Sequence, residues 1–107
     1  ARLTAVLKHE HLNNWGSAHG GFLFALADSA FALAANSYDD SRGDSHDPLA
    51  VSLGAHIEHL QPSQAGDILE ATAREVSLTR RTGVYQVEVR RGETLIALFT
   101  GTAYRKA

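Results

Sequence analysis

The sequence predicts an α+β domain: one central helix wrapped by a curved five-stranded antiparallel sheet. Three observations carry that expectation. The stretch Phe22 to Ala35 is rich in Ala and Leu, lacks Gly and Pro, and is apolar all round, as a buried helix is. Beyond residue 50, apolar residues alternate or cluster in segments broken by turn residues, the pattern of strands and hairpins. The length of 107 residues is that of one domain, so residues 1–107 are read as a single domain.

The elements follow in order. Leu3 to Lys8 reads as a short strand. His9 to Gly21 is a polar, Gly-bearing loop. The helix starts from Gly20 or Gly21, and Asn36 and Ser37 end it. Tyr38 to Pro48 is the most hydrophilic stretch and reads as a mobile loop. Val51, Leu53, Ala55 and Ile57 then alternate with Ser52, Gly54, His56 and Glu58, a period of two. Gln61 to Asp67 is turn chemistry. Ile68 to Thr79, Val84 to Arg90 and Thr94 to Tyr104 complete an expected antiparallel meander of four strands. The open edge of such a sheet invites pairing with a second copy.

Composition narrows the function. Apolar residues make up 44%, charged residues 21%, and the net charge is −2. Such a chain has the apolar surface to fold, which excludes disorder as its main state. Its mild acidity argues against nucleic acid as a partner, because phosphate binding needs a positive excess. The chain has no Cys, which excludes disulfides, a thiol nucleophile and thiolate metal sites, and fits a reducing, cytoplasmic setting. Its longest apolar run is interrupted by Asp28 and Ser29 and is short of the ~20 residues of a membrane span. No signal peptide is visible. The first residue is not Met, which leaves the true N-terminus open.

Asp28 is the anomaly within the helix. Its neighbours at three and four residues are Phe24, Ala25, Phe31 and Ala32, and none can neutralise it. An isolated buried carboxylate is costly; in a cleft it is a candidate general base. It could equally bond a loop backbone or face water at an interface. The helix entrance, His19-Gly20-Gly21, is the second feature. The first N–H groups of a helix have no partner within it, and the helix dipole is positive there. Glycine lets a carbonyl oxygen or an anion approach such a site closely. The same glycines could simply ease the turn into the helix. Asn13 and Asn14 could donate a side-chain amide to the same oxygen, although asparagines are also ordinary loop residues.

Six histidines raise the question of metal. No HExxH pattern occurs, and in a strand His56 and Glu58 share a face while His59 points away. No metal or other cofactor is expected. Ser52 has no Gly-x-Ser-x-Gly elbow around it, so it is no hydrolase nucleophile by pattern. Arg80-Arg81 and Arg90-Arg91 concentrate positive charge near two turns; they are either solvated or face a phosphate-bearing ligand.

The combination says more than its parts. Asn13-Asn-Trp-Gly16-Ser-Ala-His19-Gly20-Gly21-Phe-Leu-Phe-Ala-Leu26-Ala27-Asp28 resembles the signature of hotdog-fold acyl-CoA thioesterases, and most closely the phenylacetate-degradation (PaaI-type) branch. The resemblance covers nearly the whole chain. It implies that the Gly20 N–H, helped by Asn13, polarises a thioester carbonyl. It implies Asp28 as general base for water or as nucleophile, and His19 as a residue that shapes the helix entrance. Ser52 matches a strand serine that in some relatives orients the water. Gly21 also belongs to the implied substrate site, and Arg80 and Arg81 lie where relatives often meet coenzyme A. Trp15, Phe22 and Phe24 are available to line an apolar acyl pocket, with core packing as their other role.

Helix geometry adds a constraint of its own. Gly20 and Asp28 are eight residues apart, which is roughly 12 Å along a helix. A base or nucleophile must come within about 3–3.5 Å of the group it acts on. A two-fold dimer, with Gly20 of one chain facing Asp28 of the other, resolves this. The hotdog resemblance implies the same arrangement, extended to a dimer of dimers. The expected activity is hydrolysis of a small acyl- or aryl-CoA, phenylacetyl-CoA-like by resemblance. The rivals are a non-catalytic acyl-CoA binder or sensor on the same fold, and a hydratase. The cost of an apolar-helix Asp argues against the first, and the absence of a His after Asp28 within the helix argues against the second.

Overall fold

In the computed structural model the described residues are 1–11, 20–36 and 50–105. The expected mobile loop Tyr38 to Pro48 lies outside them, as do Asn13, Trp15 and His19. Strand β1 spans Arg2–Val6, and a short 3-10 turn at His9–His11 follows it. Helix α1 spans Gly20–Ala35. Strands β2 (Ala50–His59), β3 (Ile68–Leu78), β4 (Thr82–Arg91) and β5 (Thr94–Arg105) complete the chain. All five strands form one antiparallel sheet in the order β1-β3-β4-β5-β2.

That order corrects the expected four-stranded meander. Only β3, β4 and β5 follow one another as hairpins; β2 pairs with β5 at one edge and β1 with β3 at the other. The loop between β2 and β3, Leu60 to Asp67, is longer than the two to five residues of a tight hairpin. It crosses the ends of β5 and β4 instead. The Leu60 and Gln61 N–H groups both donate to the Ile96 carbonyl of β5. Arg91 of β4 donates to the Pro62 carbonyl at 3.0 Å and to Asp67 Oδ2 at 3.2 Å. Gly66, at φ 91°, makes the left-handed turn into β3 that a side chain would resist.

The core lies between one face of α1 and the sheet. Leu23, Ala27, Ala30 and Phe31 are the buried residues of the helix, spaced to form one stripe. They meet Leu69, Ala71, Ala73, Tyr85, Val87, Val89, Phe99 and Ala103 of β3, β4 and β5. The Phe31 ring is tilted against Tyr85 and Phe99, with centroids 5.7 Å apart in both pairs. It seats over Gly101, where a Cβ would come within 2.9 Å of the ring.

The helix was expected to be covered on most sides, but one chain covers one side. Phe24 is 37% exposed and Leu33 50% exposed. The sheet buries one face of the helix and leaves apolar side chains of its other faces partly exposed.

A β-bulge reverses the expected alternation in β2. The pairing with β5 shifts between Ser52 and Gly54, leaving Leu53 as the extra residue. Directly paired residues share a face of the sheet. Ser52 pairs with buried Ala103, Ala55 with Gly101, Ile57 with buried Phe99 and His59 with buried Ala97. Ser52 therefore lies on the helix side with Ala55, Ile57 and His59, not on the opposite face with His56 and Glu58.

Candidate active site at the helix entrance and the β2 edge

The start of α1 lies beside the end of β2. A Cβ added to Gly20 would sit 3.4 Å from His59 Nε2 and 3.5 Å from its Cε1. That is ordinary contact, so the chain's own packing leaves room for an alanine at Gly20. The 3-10 turn closes the other side of the entrance. His11 stacks on Phe22, with centroids 4.2 Å apart and planes 11° from parallel. Its Nδ1 accepts the Lys8 N–H at 3.0 Å. Phe22 is half-buried by this stack and Gly21 is exposed.

Asp28 belongs to the same side of the helix. Gly20, Phe24 and Asp28 recur every four residues and so form one stripe. Gly20 meets His59 of β2, and Phe24 meets Phe99 of β5 edge-on at 5.4 Å. The stripe thus runs along the β5–β2 side of the sheet. Asp28 is half-buried, not fully buried as expected, and among the described residues it has no hydrogen-bond or ion-pair partner. Ser29 beside it bonds back to the Ala25 carbonyl at 2.8 Å, which leaves the carboxylate as the polar group of this stripe.

The edge strand next to these groups is open on both faces. Val51 is 39% and Leu53 61% exposed, and Ser52, Ala55, His56 and Glu58 are exposed as well. His56 Nε2 lies 3.6 Å from Glu58 Oε1 on the face away from the helix, so the two cannot join His59 around one ion. Among the described residues no group of three potential metal ligands occurs. Nor is any helix of the described residues long and apolar enough to cross a membrane.

Arg80 and Arg81 stand far from their own chain's helix entrance. The turn that bears them is closed by the Thr79 N–H on the Thr82 carbonyl at 2.7 Å. Arg81 Nη1 donates to the Tyr104 hydroxyl at 2.9 Å. Tyr104 pairs with Val51 at the start of β2, whereas Ala97 pairs with His59 at its end. Seven residues of β5 separate those rows, roughly 23 Å at ~3.3 Å per residue. The structure thus brings Gly20 and Asp28 to the β2 side of α1, sets Phe22 on the other side of the entrance against His11, and places Ser52 on the helix-side face of β2 near the end of the sheet that bears the arginine pair.

His59 is the residue that sequence reasoning passed over. The parity of β2 set it apart from His56 and Glu58, but only the register of α1 against β2 shows what it faces.

Known proteins resemble this chain throughout. Residues 16–97 match the model of the thioesterase superfamily. The acyl-coenzyme A thioesterase PaaI of Escherichia coli is 40% identical over 98% of this chain and 70% of its own length. A mutant structure of the phenylacetic acid degradation protein PaaI from Thermus thermophilus is 46% identical, with a TM-score of 0.83 over 97% of this chain and 83% of that one. A Streptococcus mutans protein solved with acetyl-CoA is 29% identical, with a TM-score of 0.84 over 99% of this chain and 80% of that one. The chain spans about two thirds of the length of the curated relatives it matches. One helix on a five-stranded antiparallel sheet is the hotdog architecture that the motif implied.

Proposed function

The chain belongs to the thioesterase superfamily, and on that premise we propose that it hydrolyses a small acyl- or aryl-coenzyme A thioester to the acid and free coenzyme A. The observation that carries this reading is Asp28. It is a carboxylate on an apolar helix, unpaired among the described residues, on the stripe that begins at Gly20. A partner packed on this side would take the carboxylate further from water, a cost from which a protein that only binds acyl-CoA gains nothing.

The thioester carbonyl oxygen docks at the first turn of α1, on the Gly20 N–H with Asn13 as a second donor. The helix dipole favours the negative charge that grows on that oxygen. Asp28 either takes a proton from the attacking water or attacks the carbonyl carbon itself, forming an anhydride that water then opens. Ser52 on the helix-side face of β2 orients the water, His19 shapes the entrance, and Trp15 and Phe22 line the acyl pocket. A phenylacetyl-type acyl group fits the similarity to the phenylacetic acid degradation protein PaaI.

The working unit is a homodimer. Gly20 and Asp28 of one chain are about 12 Å apart, too far to serve one carbon. The open β2 edge and the exposed Phe24, Val51 and Leu53 beside it are suited to a two-fold partner. Antiparallel pairing of β2 with its copy sets the end of one strand beside the start of the other. Asp28 of a second copy then faces Gly20, and the Arg80–Arg81 turn of that copy lies three strand spacings away, about 14 Å, within reach of the coenzyme A phosphates. The test is a panel of acyl-CoAs assayed for thiol release, with Asp28→Asn as the control. Release from at least one member that the variant does not support is expected; no release from any member would leave a binder.

A further inference from the structure

His59 lies outside the motif that carries the family resemblance, yet its imidazole is the described side chain that abuts Gly20. We infer that His59 is a hydrogen-bond donor to the substrate's thioester carbonyl, acting beside the Gly20 N–H. The inference rests on the thioesterase reading above. Its basis is the position of the ring. His59 is the last residue of β2, on the helix side of the sheet opposite Ala97. Its Nε2 is the ring atom nearest to the Gly20 side-chain position, at 3.4 Å. The imidazole thus stands against the first residue of α1, the same residue whose N–H is the proposed donor to the carbonyl.

Among the described residues no group engages that nitrogen. The other described histidine at the entrance, His11, is engaged: its ring stacks on Phe22 and its Nδ1 accepts the Lys8 N–H. His59 has no hydrogen-bond partner among the described residues and is exposed. His56 and Glu58 of its own strand lie on the opposite face. Ala97 of β5 is uncharged, and the one acid on α1, Asp28, is two helical turns further on. No described carboxylate therefore competes with the substrate oxygen for the imidazole N–H.

A donor of this kind acts on the carbonyl as charge develops, so its loss falls on kcat more than on KM. His59→Leu should lower kcat roughly 10–100-fold, below the ~10²–10³ of a principal oxyanion donor, with KM within about twofold. His59→Gln keeps an N–H at similar reach and should recover most of that loss. A spectroscopic measurement separates this from a packing role. In Asp28→Asn protein holding an uncleaved, carbonyl-labelled acyl-CoA, adding His59→Leu should move the thioester C=O stretch to higher frequency, because one donor is gone. An unchanged stretch, or a kcat within threefold of the parent in His59→Leu, overturns the assignment while Asp28→Asn remains inactive and the thioesterase reading stands. Failure to bind or cleave any acyl-CoA overturns both.

Discussion

At the β1 edge of the sheet, exposed and half-buried residues alternate strictly from Arg2 to Val6. Its partner β3 alternates likewise as far as Ala73, and the inward residues are packed against α1. At the β2 edge no such alternation holds. From Val51 to His59 every residue except Ile57 is exposed, including Val51 and Leu53. One chain thus finishes its core on the β3–β4–β5 side and leaves it unfinished on the other. The candidate chemistry lies on the unfinished side: Gly20, Asp28, Ser52 and His59. The difference teaches that this small domain packs its core on one side and leaves its candidate chemistry on the other, where the proposed second copy would complete it.

The largest effect is expected from Asp28→Asn. The substitution keeps size and polarity while removing basicity and nucleophilicity. Turnover should fall about 10²–10⁴-fold, the range of general-base loss, with an unchanged melting temperature. Activity within a few-fold of the parent would remove Asp28 from the chemistry and detach the open edge from function.

A charge at each edge separates the two directly. Leu53→Asp, at the bulge of β2, should convert the assembly to monomers and cost at least about tenfold in activity, because each site then lacks its partner. Val76→Asp is the matched change. Val76 is also a bulge residue, 52% exposed, but on β3. It should leave both mass and turnover as they are. Equal behaviour in sedimentation and assay would make the edges equivalent.

Mixing inactive variants sharpens the same point. Asn13→Ala and Asp28→Asn homodimers each lack one group in both sites. If a site takes one group from each chain, a mixed dimer holds one intact site. Equal amounts unfolded and refolded together should then regain roughly a quarter of parent activity, by random pairing across a two-fold. Mass-tagged chains prove the exchange. Proven mixed dimers without regained activity would place both groups in one chain.

The finished side should answer in stability instead. At Gly101 a Cβ would meet the Phe31 ring at 2.9 Å. Gly101→Ala must displace a buried ring and should cost about 1–3 kcal/mol, read by chemical denaturation. A neutral result would show that Phe31 can shift freely.

The smallest effect concerns Asp67, which ties the crossover loop to β4. Its carboxyl is held below the usual 3.8 mainly by the Gln64 N–H, then by Arg91, against the opposing pull of desolvation. A depressed folded-state value means that the ionised group favours folding. That contribution is complete above pH about 3.8 and is lost as pH falls through the lower folded value. Asp67→Asn should melt slightly below the parent at neutral pH and match it in stronger acid. A gap that persists in acid would mean that the charge is not its source.

Much of this was legible in the residues. The helix boundaries agree to within two residues, and the strands after residue 50 and the turns at Arg81 and Gly92 also lie where period and turn chemistry put them. Those are local properties: backbone propensity, alternation and a glycine at φ 59° need no knowledge of distant residues. Asp28 and Gly20 stood out for the same reason, since a carboxylate amid apolar neighbours is visible within one helical turn. Three matters were decided only by tertiary structure. The sheet order depends on which strand a crossover loop reaches, and pairing is non-local. The face of Ser52 depends on one extra residue in β2 against β5, and a slip of one residue reverses every side chain beyond it. The place of His59 beside Gly20 depends on how a helix and a strand that meet only in space are set against each other.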